Sequence, residues 1–365
     1  MREWEKNIRK VEPYVPGEQP KDKDIIKLNT NENPYPPAPH VKEVLESIRT
    51  EDFRKYPDPA ADMLISAISE NYGVDKNMIF TGVGSDDVLS MIFLTFFNSD
   101  RPVLFPDITY SFYSVWADVY RIKYETPLLD ENFNIRAEDY YKPNGGVVIA
   151  NPNAPTGIYR NLDFIKDILE HNRDVIVVVD EAYIDFAGQS AVSLLKDYDN
   201  LIVVQTFSKS KSLAGMRIGM AFANSELIKA LNDVKYSVNS YTMNMPSILL
   251  GTAAAESMDY YNRTTEKIIE TRKRSAGRLK ALGFECLESG SNFIFARHGR
   301  VKGTDIYDFL RKNKVFVRHF NAPRIDDFLR ISIGTDAEMD RLFELLEGYL
   351  ACLLYTSPSP RDRQK

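Results

Sequence analysis

The feature that most narrows the fold is the run Val175-Ile-Val-Val-Val-Asp-Glu-Ala-Tyr183, in which β-branched residues continue without interruption into an acid. A strand wetted on one face alternates polar and apolar residues. An unbroken apolar run instead predicts a strand covered on both faces, as in a parallel sheet with helices on either side. The run stops at Asp180, which puts a carboxylate at the carboxyl edge of the strand, where open α/β sheets gather their ligands. A second apolar run, Leu201 to Phe207, comes after a turn and a short helical stretch around Ala191 to Tyr198. Strand, crossover, strand predicts parallel neighbours, with Asp180 and the residues around Phe207 at one end of one sheet. An acid after a lone strand more often just opens a loop; the segment after the second strand reverses those odds.

That strand runs into Thr206-Phe-Ser-Lys-Ser-Lys-Ser-Leu-Ala-Gly-Met-Arg-Ile-Gly219, a lysine flanked by hydroxyls with an arginine downstream. These residue types suit pyridoxal phosphate. Lys209 would join the cofactor aldehyde as a Schiff base, while Thr206, Ser208 and Arg217 supply donors and positive charge to a phosphate dianion. Asp180 would face the pyridine nitrogen and keep it protonated, so that the ring draws electrons from a substrate α-carbon. Tyr183 would hydrogen-bond the ring's phenolic oxygen. By itself, a basic serine-rich loop is more often a solvated turn.

Other segments raise the odds. Met78-Ile-Phe-Thr-Gly-Val-Gly-Ser-Asp-Asp-Val-Leu89 predicts a strand, a glycine turn and a helix start, whose free amides at Gly84, Ser85 and Asp86 form an anion site. The spacing is not that of a dinucleotide fingerprint, and an ordinary helix cap is the bland alternative. Tyr110 would stack on the pyridine face, or be a buried core tyrosine. Asn151-Pro-Asn-Ala-Pro-Thr-Gly157 follows the strand Gly146 to Ala150 and predicts a rigid polar loop at another carboxyl edge. Val315-Phe-Val-Arg318 and Phe328-Leu-Arg330 each carry an arginine on a strand, suited to paired hydrogen bonds with a carboxylate or phosphate.

Taken in order, Leu28-Asn-Thr-Asn-Glu-Asn-Pro34, Tyr56-Pro-Asp58, Gly84-Ser-Asp86, Asn153-Ala-Pro-Thr-Gly157, Asp180-Glu-Ala-Tyr183, Ser208-Lys209, Leu213-Ala-Gly-Met-Arg217, Ser291-Asn-Phe293 and Phe328-Leu-Arg-Ile-Ser-Ile-Gly334 resemble the fold-type I pyridoxal-phosphate aminotransferases. The resemblance is closest to the histidinol-phosphate aminotransferase branch, of the class II subgroup, and runs from about Tyr14 to about Tyr349. It implies a large domain with a mainly parallel sheet flanked by helices, plus a smaller α+β domain. It implies Lys209 as the cofactor lysine, Asp180 at the ring nitrogen, Tyr183 at the phenolic oxygen and Tyr110 over the ring. Gly84, Ser85, Asp86, Thr206, Ser208 and Arg217 would surround the phosphate, with Asn153 also at the cofactor. Tyr56 would reach the phosphate of a second subunit's cofactor, which implies a homodimer with shared sites. Tyr14, Asn31, Asn292, Arg318 and Arg330 would take anionic substrates, Arg330 holding the carboxylate of glutamate and then, with Arg318 and Tyr14, the phosphate of histidinol phosphate. The implied activity is transamination between histidinol phosphate and 2-oxoglutarate in histidine biosynthesis, with ping-pong kinetics. The sequence departs from the family where an asparagine usually precedes Pro-Thr-Gly and contacts the ring oxygen: that position is Ala154. Asn153 or Asn151 from a shifted loop, or Tyr183 alone, are the open substitutes.

At 365 residues and 44% hydrophobic content the chain is long enough for two domains. The divisions expected are an arm at 1–30, a large cofactor domain at 31–257, a small domain at 258–351 and a tail at 352–365. Thr335-Asp-Ala-Glu338 predicts a capping box, followed by Met339, Leu342, Phe343, Leu346, Tyr349 and Leu350 at helical spacing. The tail has prolines and no periodicity, resembles a translated sequencing adapter, and is expected to be non-native and unpacked. Net charge is 46 minus 52, or −6, with no long basic run, which weighs against nucleic acid. No apolar stretch has membrane-spanning length, and the charged start lacks a signal peptide's apolar segment, so a cytoplasmic enzyme is expected. Two cysteines and four histidines give neither a disulfide framework nor a metal set. The alternatives are a threonine-phosphate decarboxylase-like lyase of the same fold, an aromatic amino acid aminotransferase, and a catalytically dead cofactor-sensing regulator.

Overall fold

The computed structural model describes residues 2–20, 22 and 24–356, with side chains through residue 353. The chain begins with β1 (Ile26–Leu28), α1 (Pro39–Ser47), α2 (Asp62–Tyr72), β2 (Ile79–Gly82), α3 (Gly84–Phe96), β3 (Val103–Leu104) and α4 (Phe112–Tyr120). Next come β4 (Tyr124–Glu125), β5 (Gly146–Ala150), α5 (Leu162–Glu170), β6 (Val177–Asp180), β7 (Leu201–Thr206), β8 (Gly219–Phe222), α6 (Ser225–Val238) and α7 (Met245–Ala255). The last part comprises α8 (Met258–Ala281), β9 (Phe284–Cys286), β10 (Phe293–His298), α9 (Gly303–Lys312), β11 (Val315–His319), β12 (Leu329–Ser332) and α10 (Asp336–Thr356).

The larger sheet has the order β2-β8-β7-β6-β5-β3-β4, and β8 alone runs antiparallel to its neighbours. Successive side chains on a strand point to opposite faces, so each central strand feeds two cores. Val177, Val179, Leu201 and Val203 enter one core, and Val178, Ile202 and Val204 enter the other. This is why the run from Val175 is continuously apolar. Asp180 lies in register with Ala150 on one side and Val204 on the other, so β5 and β6 finish together and β7 runs two residues further, to Thr206. The acid and the lysine loop therefore leave the sheet at one edge, as the strand, crossover, strand pattern predicts.

The smaller sheet has the order β1-β11-β12-β10-β9, antiparallel except where β1 joins β11. The segment expected to be an arm thus ends in a strand of the second sheet. Three residues are too few for a period to be visible in sequence. The core of this unit also takes in Ala154, Tyr183 and Phe186 from the larger one, so the two meet beside Asp180. We propose that the units divide at the start of α8, with β1 counted in the smaller.

The capping box forms as expected: the Thr335 amide donates to Glu338 Oε2 at 2.7 Å, and the Glu338 amide donates to Thr335 Oγ1 at 3.3 Å. Helix α10 then buries Met339, Leu342, Phe343 and Leu346 completely. It continues through Thr356, beyond the expected end at 351, and Leu353 packs against the small-unit core. The expected unpacked tail is corrected to that extent, because Leu353 continues the stripe of Leu346 and Leu350. The tail's remaining residues, 357–365, lie outside the described residues. Among the described residues no helix is long and apolar enough to cross a membrane.

Leu342 is 0% exposed, and its replacement by alanine should cost about 2–5 kcal/mol in urea unfolding monitored by circular dichroism. A loss below about 1 kcal/mol would show that α10 does not anchor the second unit.

Candidate active site

Helix α3 starts at Gly84 without a side-chain cap, so its first amides have no intrahelical acceptor and face outward with the positive end of the helix dipole. Gly84 has φ +82°, a conformation that suits glycine. A methyl added there would sit 2.4 Å from Arg217 Nη2, and one added to Gly219 would sit 2.3 Å from the Gly84 carbonyl carbon. The two glycines thus let the Arg217 loop and the helix start lie in contact. Arg217 donates to Ser208 Oγ at 3.4 Å and to Asp86 Oδ2 at 3.1 Å, while Thr206 Oγ1 donates to Ser208 Oγ at 3.0 Å. Gly84, Ser85, Asp86, Thr206, Ser208 and Arg217 are therefore one cluster. The Asp86 carboxylate also accepts from the Tyr110 hydroxyl at 2.7 Å, so its side chain orients Arg217 and Tyr110 and leaves its amide for an anion.

Asp180 is 5% exposed, and burial pushes its carboxyl up to about 6, against the opposing pull of hydrogen bonds from Tyr113 and the Ala182 amide. The Tyr113 hydroxyl donates to Asp180 Oδ2 at 2.6 Å. Lys209 is near enough to favour the charged acid, yet its Nζ reaches only the Thr30 carbonyl, at 3.5 Å, and lies 5.5 Å from the Tyr183 ring centre. The lysine amine has no carboxylate partner among the described residues. Its neighbour Lys211 is buried against Asp185, which separates the two lysines of the Ser-Lys-Ser-Lys run by environment. The Tyr183 hydroxyl accepts from Asn31 Nδ2 at 2.9 Å, and Asn31 is held in turn by Ser332 Oγ.

Arg318 and Arg330 are directly opposed on the antiparallel strands β11 and β12. Like charges in that position repel, and neither arginine forms an ion pair among the described residues. Arg330 donates to the Asn29 carbonyl at 3.0 Å, while its Nε is buried without a partner. Burial lowers its pKa, with Arg318 adding to the effect and Tyr183, Tyr14 and Tyr110 opposing it. Tyr14 stacks on Phe112 at 4.2 Å and lies 6.5 Å from Tyr110. The expected substrate residues Tyr14, Arg318 and Arg330 accordingly share one wall with Tyr110 and Tyr183.

Three expected residues stand elsewhere. Tyr56 is 82% exposed and stacks on Tyr241, away from the cluster within this chain. Asn153 donates to the Ile108 carbonyl and to Thr156, and accepts from Thr109, so its amide ties its loop to the segment between β3 and α4. Asn292 is fully buried and donates to the Asn31 carbonyl at 2.9 Å, while its Oδ1 has no hydrogen-bond partner among the described residues. Asn151 is bonded at both ends to the Arg160 backbone. Of the substitutes for the residue missing at Ala154, Tyr183 is the one left facing the site. Sequence reasoning missed Tyr113 and Asn33, the latter donating to the carbonyls of Lys209 and Ser210 at 3.1 Å. The spacing of Tyr113 from Tyr110 on one helical turn was the available signal for the first.

Residues 23–346 match the family of aminotransferase class I and II. The chain belongs to that family. It is 48% identical to a histidinol-phosphate aminotransferase of Clostridium beijerinckii, over 95% of this chain and 97% of the relative. A histidinol-phosphate aminotransferase from Sinorhizobium meliloti, solved in complex with pyridoxal-5'-phosphate, superposes with a TM-score of 0.81 at 26% identity, covering 90% of this chain and 91% of that one. An L-threonine-O-3-phosphate decarboxylase from Porphyromonas gingivalis shares the fold, with a TM-score of 0.74 at 20% identity over 90% of this aminotransferase and 100% of the decarboxylase.

The residues fit pyridoxal phosphate on this structure's own terms. A helix start, an arginine and two hydroxyls meet where Gly84 and Gly219 leave no room for a Cβ, and a buried acid bonded to no cation among the described residues suits a protonated nitrogen. Gly219→Ala should weaken cofactor binding at least about tenfold by forcing the loop off α3, as measured by fluorescence titration of the apoprotein; unchanged affinity would show that the contact is not needed.

Asp180 supplies a pH signature. Its folded pKa is raised, so the folded state binds the proton more tightly, and its contribution to stability is greatest at low pH and declines as pH rises through about 6. Cofactor-free Asp180→Asn should therefore unfold later than the parent at pH 8, by up to roughly 3 kcal/mol, with the gap closing towards pH 5. A gap that widens on acidification would mean the carboxylate is stabilised in the fold.

Proposed function

We propose that the chain transfers an amino group between histidinol phosphate and 2-oxoglutarate, using pyridoxal phosphate held by Lys209, Asp180 and the α3 cluster. The observation that carries the substrate half is the cross-strand pair Arg318 and Arg330, two unpaired guanidinium groups on one wall of the site. A planar guanidinium binds carboxylate or phosphate through paired hydrogen bonds, so one wall accepts each anion in turn. Tyr14 supplies a hydroxyl at the same wall. The name and high identity of the Clostridium relative support the same substrates.

When bound, pyridoxal phosphate supplies a carbonyl carbon that takes up an amino group and a ring that draws electrons from the substrate α-carbon. Asp180 is the counter-charge that keeps the ring nitrogen protonated, and Tyr113 holds that carboxylate in place. Tyr183, whose hydroxyl accepts from Asn31, keeps its own proton to donate to the ring oxygen. Lys209 Nζ, unpaired and facing Tyr183, moves the proton on and off the α-carbon. Tyr110, with its hydroxyl fixed by Asp86, covers one ring face.

The reading includes a homodimer. Phe53, Tyr56 and Met63 are 55%, 82% and 56% exposed, and Tyr236, Val238 and Tyr241 extend the same apolar surface. A second copy seated there would cover Tyr56 and bring it to the neighbouring site.

Mixing the holoprotein with histidinol phosphate should convert the cofactor spectrum to the amino form, and 2-oxoglutarate should restore it. Arg330→Ala should lower kcat/KM by at least about a hundredfold, and Lys209→Ala should abolish the visible lysine-bound absorbance. Carbon dioxide released from threonine phosphate, without spectral conversion by histidinol phosphate, would favour the lyase and overturn this reading.

A further inference from the structure

Lys209 is held in place by its backbone, because its amine has no ionic partner. Two other segments meet the loop that carries it. Asn33 Nδ2 donates to the carbonyls of Lys209 and Ser210, each at 3.1 Å. The two residues after Lys209 both donate to one atom, Asp185 Oδ2: Ser210 through its hydroxyl, and Lys211 through its ammonium at 2.5 Å. Asp185 lies two residues beyond Tyr183, in the turn that leaves Asp180 at the end of β6. The Lys211 side chain is 3% exposed and Asp185 is its ionic partner, while the Asp185 side chain is 32% exposed.

We propose that Asp185 and Lys211 are positioning residues: their ion pair, with the Ser210 hydroxyl, locks the loop carrying the lysine amine onto the turn carrying Asp180 and Tyr183. The inference rests on the proposed role of Lys209. It goes beyond that role by assigning a task to the second lysine of the Ser-Lys-Ser-Lys run. A lysine on a flexible stem reaches a reacting carbon from many angles, and fixing the next two residues to one carboxylate narrows those angles. Lys211 cannot exchange roles with Lys209, since its amine is buried and held by the Asp185 carboxylate.

The test uses holoprotein. Borohydride reduction and peptide mapping of the parent should place the cofactor on Lys209; label on Lys211 would overturn both the role of Lys209 and this inference. In Lys211→Met, the visible circular dichroism per bound cofactor should fall, and kcat should fall about tenfold with KM for histidinol phosphate nearly unchanged. Lys211→Arg should recover both. Ser210→Ala, which removes only a hydroxyl from the same carboxylate, should show the same changes to a smaller degree, and it serves where Lys211→Met does not fold. Parent-like dichroism and kcat in these variants, with only a lower melting temperature, would make the pair merely structural and overturn the proposal while leaving the label on Lys209 intact.

Discussion

A carboxylate buried at the end of a central strand, with hydrogen bonds but no bonded cation, is the constraint around which the rest of the site is arranged. Asp180 is held there by β5 and β7 in register on either side, by the Tyr113 hydroxyl and by the Ala182 amide. An acid in such surroundings is costly unless something positive meets it, and here Lys209 is near but not bonded. The fold therefore carries an electrostatic deficit matched to a protonated ring nitrogen. Specific cofactor binding and stability of the empty protein pull in opposite directions at this one residue.

The opposite deficit lies on the second sheet. Arg318 and Arg330 face each other across β11 and β12 without an acid, and the helix start at Gly84 adds a further positive end. These cations do not simply neutralise Asp180, because they are fixed on different elements: Arg330 by the Asn29 carbonyl, Arg217 by Asp86 and Ser208. Asp86 orients Arg217 within the phosphate cluster, and Asp185 binds Lys211. Asp180, Lys209, Arg318 and Arg330 form no ion pair among the described residues, a charge pattern complementary to a cationic pyridine and to substrates that carry both an amino group and an anion.

How much of this was legible in the sequence depends on the range of each interaction. The central strands announced themselves because both their faces are buried, and the capping box at Thr335 because its partners are three residues apart. Asp180 and Lys209 were legible as residues at or just after strand ends, and the parallel register of β6 and β7 puts those ends side by side, while Arg217 comes back at the start of the antiparallel β8. Strand β1 was not legible: its pairing with β11 joins residues that are nearly the whole chain apart, and three residues show no period. The same holds for Asn33 on Lys209 and Asn31 on Tyr183. Asn153 and Asn292 were read by position in a motif, which does not display the bonds their amide nitrogens make to Ile108 and Thr156 and to the Asn31 carbonyl. Helix α10 outran its expected end because Leu353 extends a stripe already set by Leu346 and Leu350.

Of the ten buried polar side-chain atoms without a hydrogen-bond partner among the described residues, four lie together. Asn29 Oδ1, Thr30 Oγ1, Asn292 Oδ1 and Arg330 Nε all belong to the seam where the segment after β1 meets β10 and β12. Interiors normally satisfy such groups, since each unmet donor or acceptor costs about 1–3 kcal/mol, and tolerated exceptions gather where function demands them. The seam also carries Asn31, which links Ser332 of the small sheet to Tyr183 of the large one. An anion arriving at Arg330 would therefore load the same short chain of hydrogen bonds that orients the Tyr183 hydroxyl. On the proposed reading, substrate binding on one sheet would be joined to the cofactor on the other through the segment from Asn29 to Asn31.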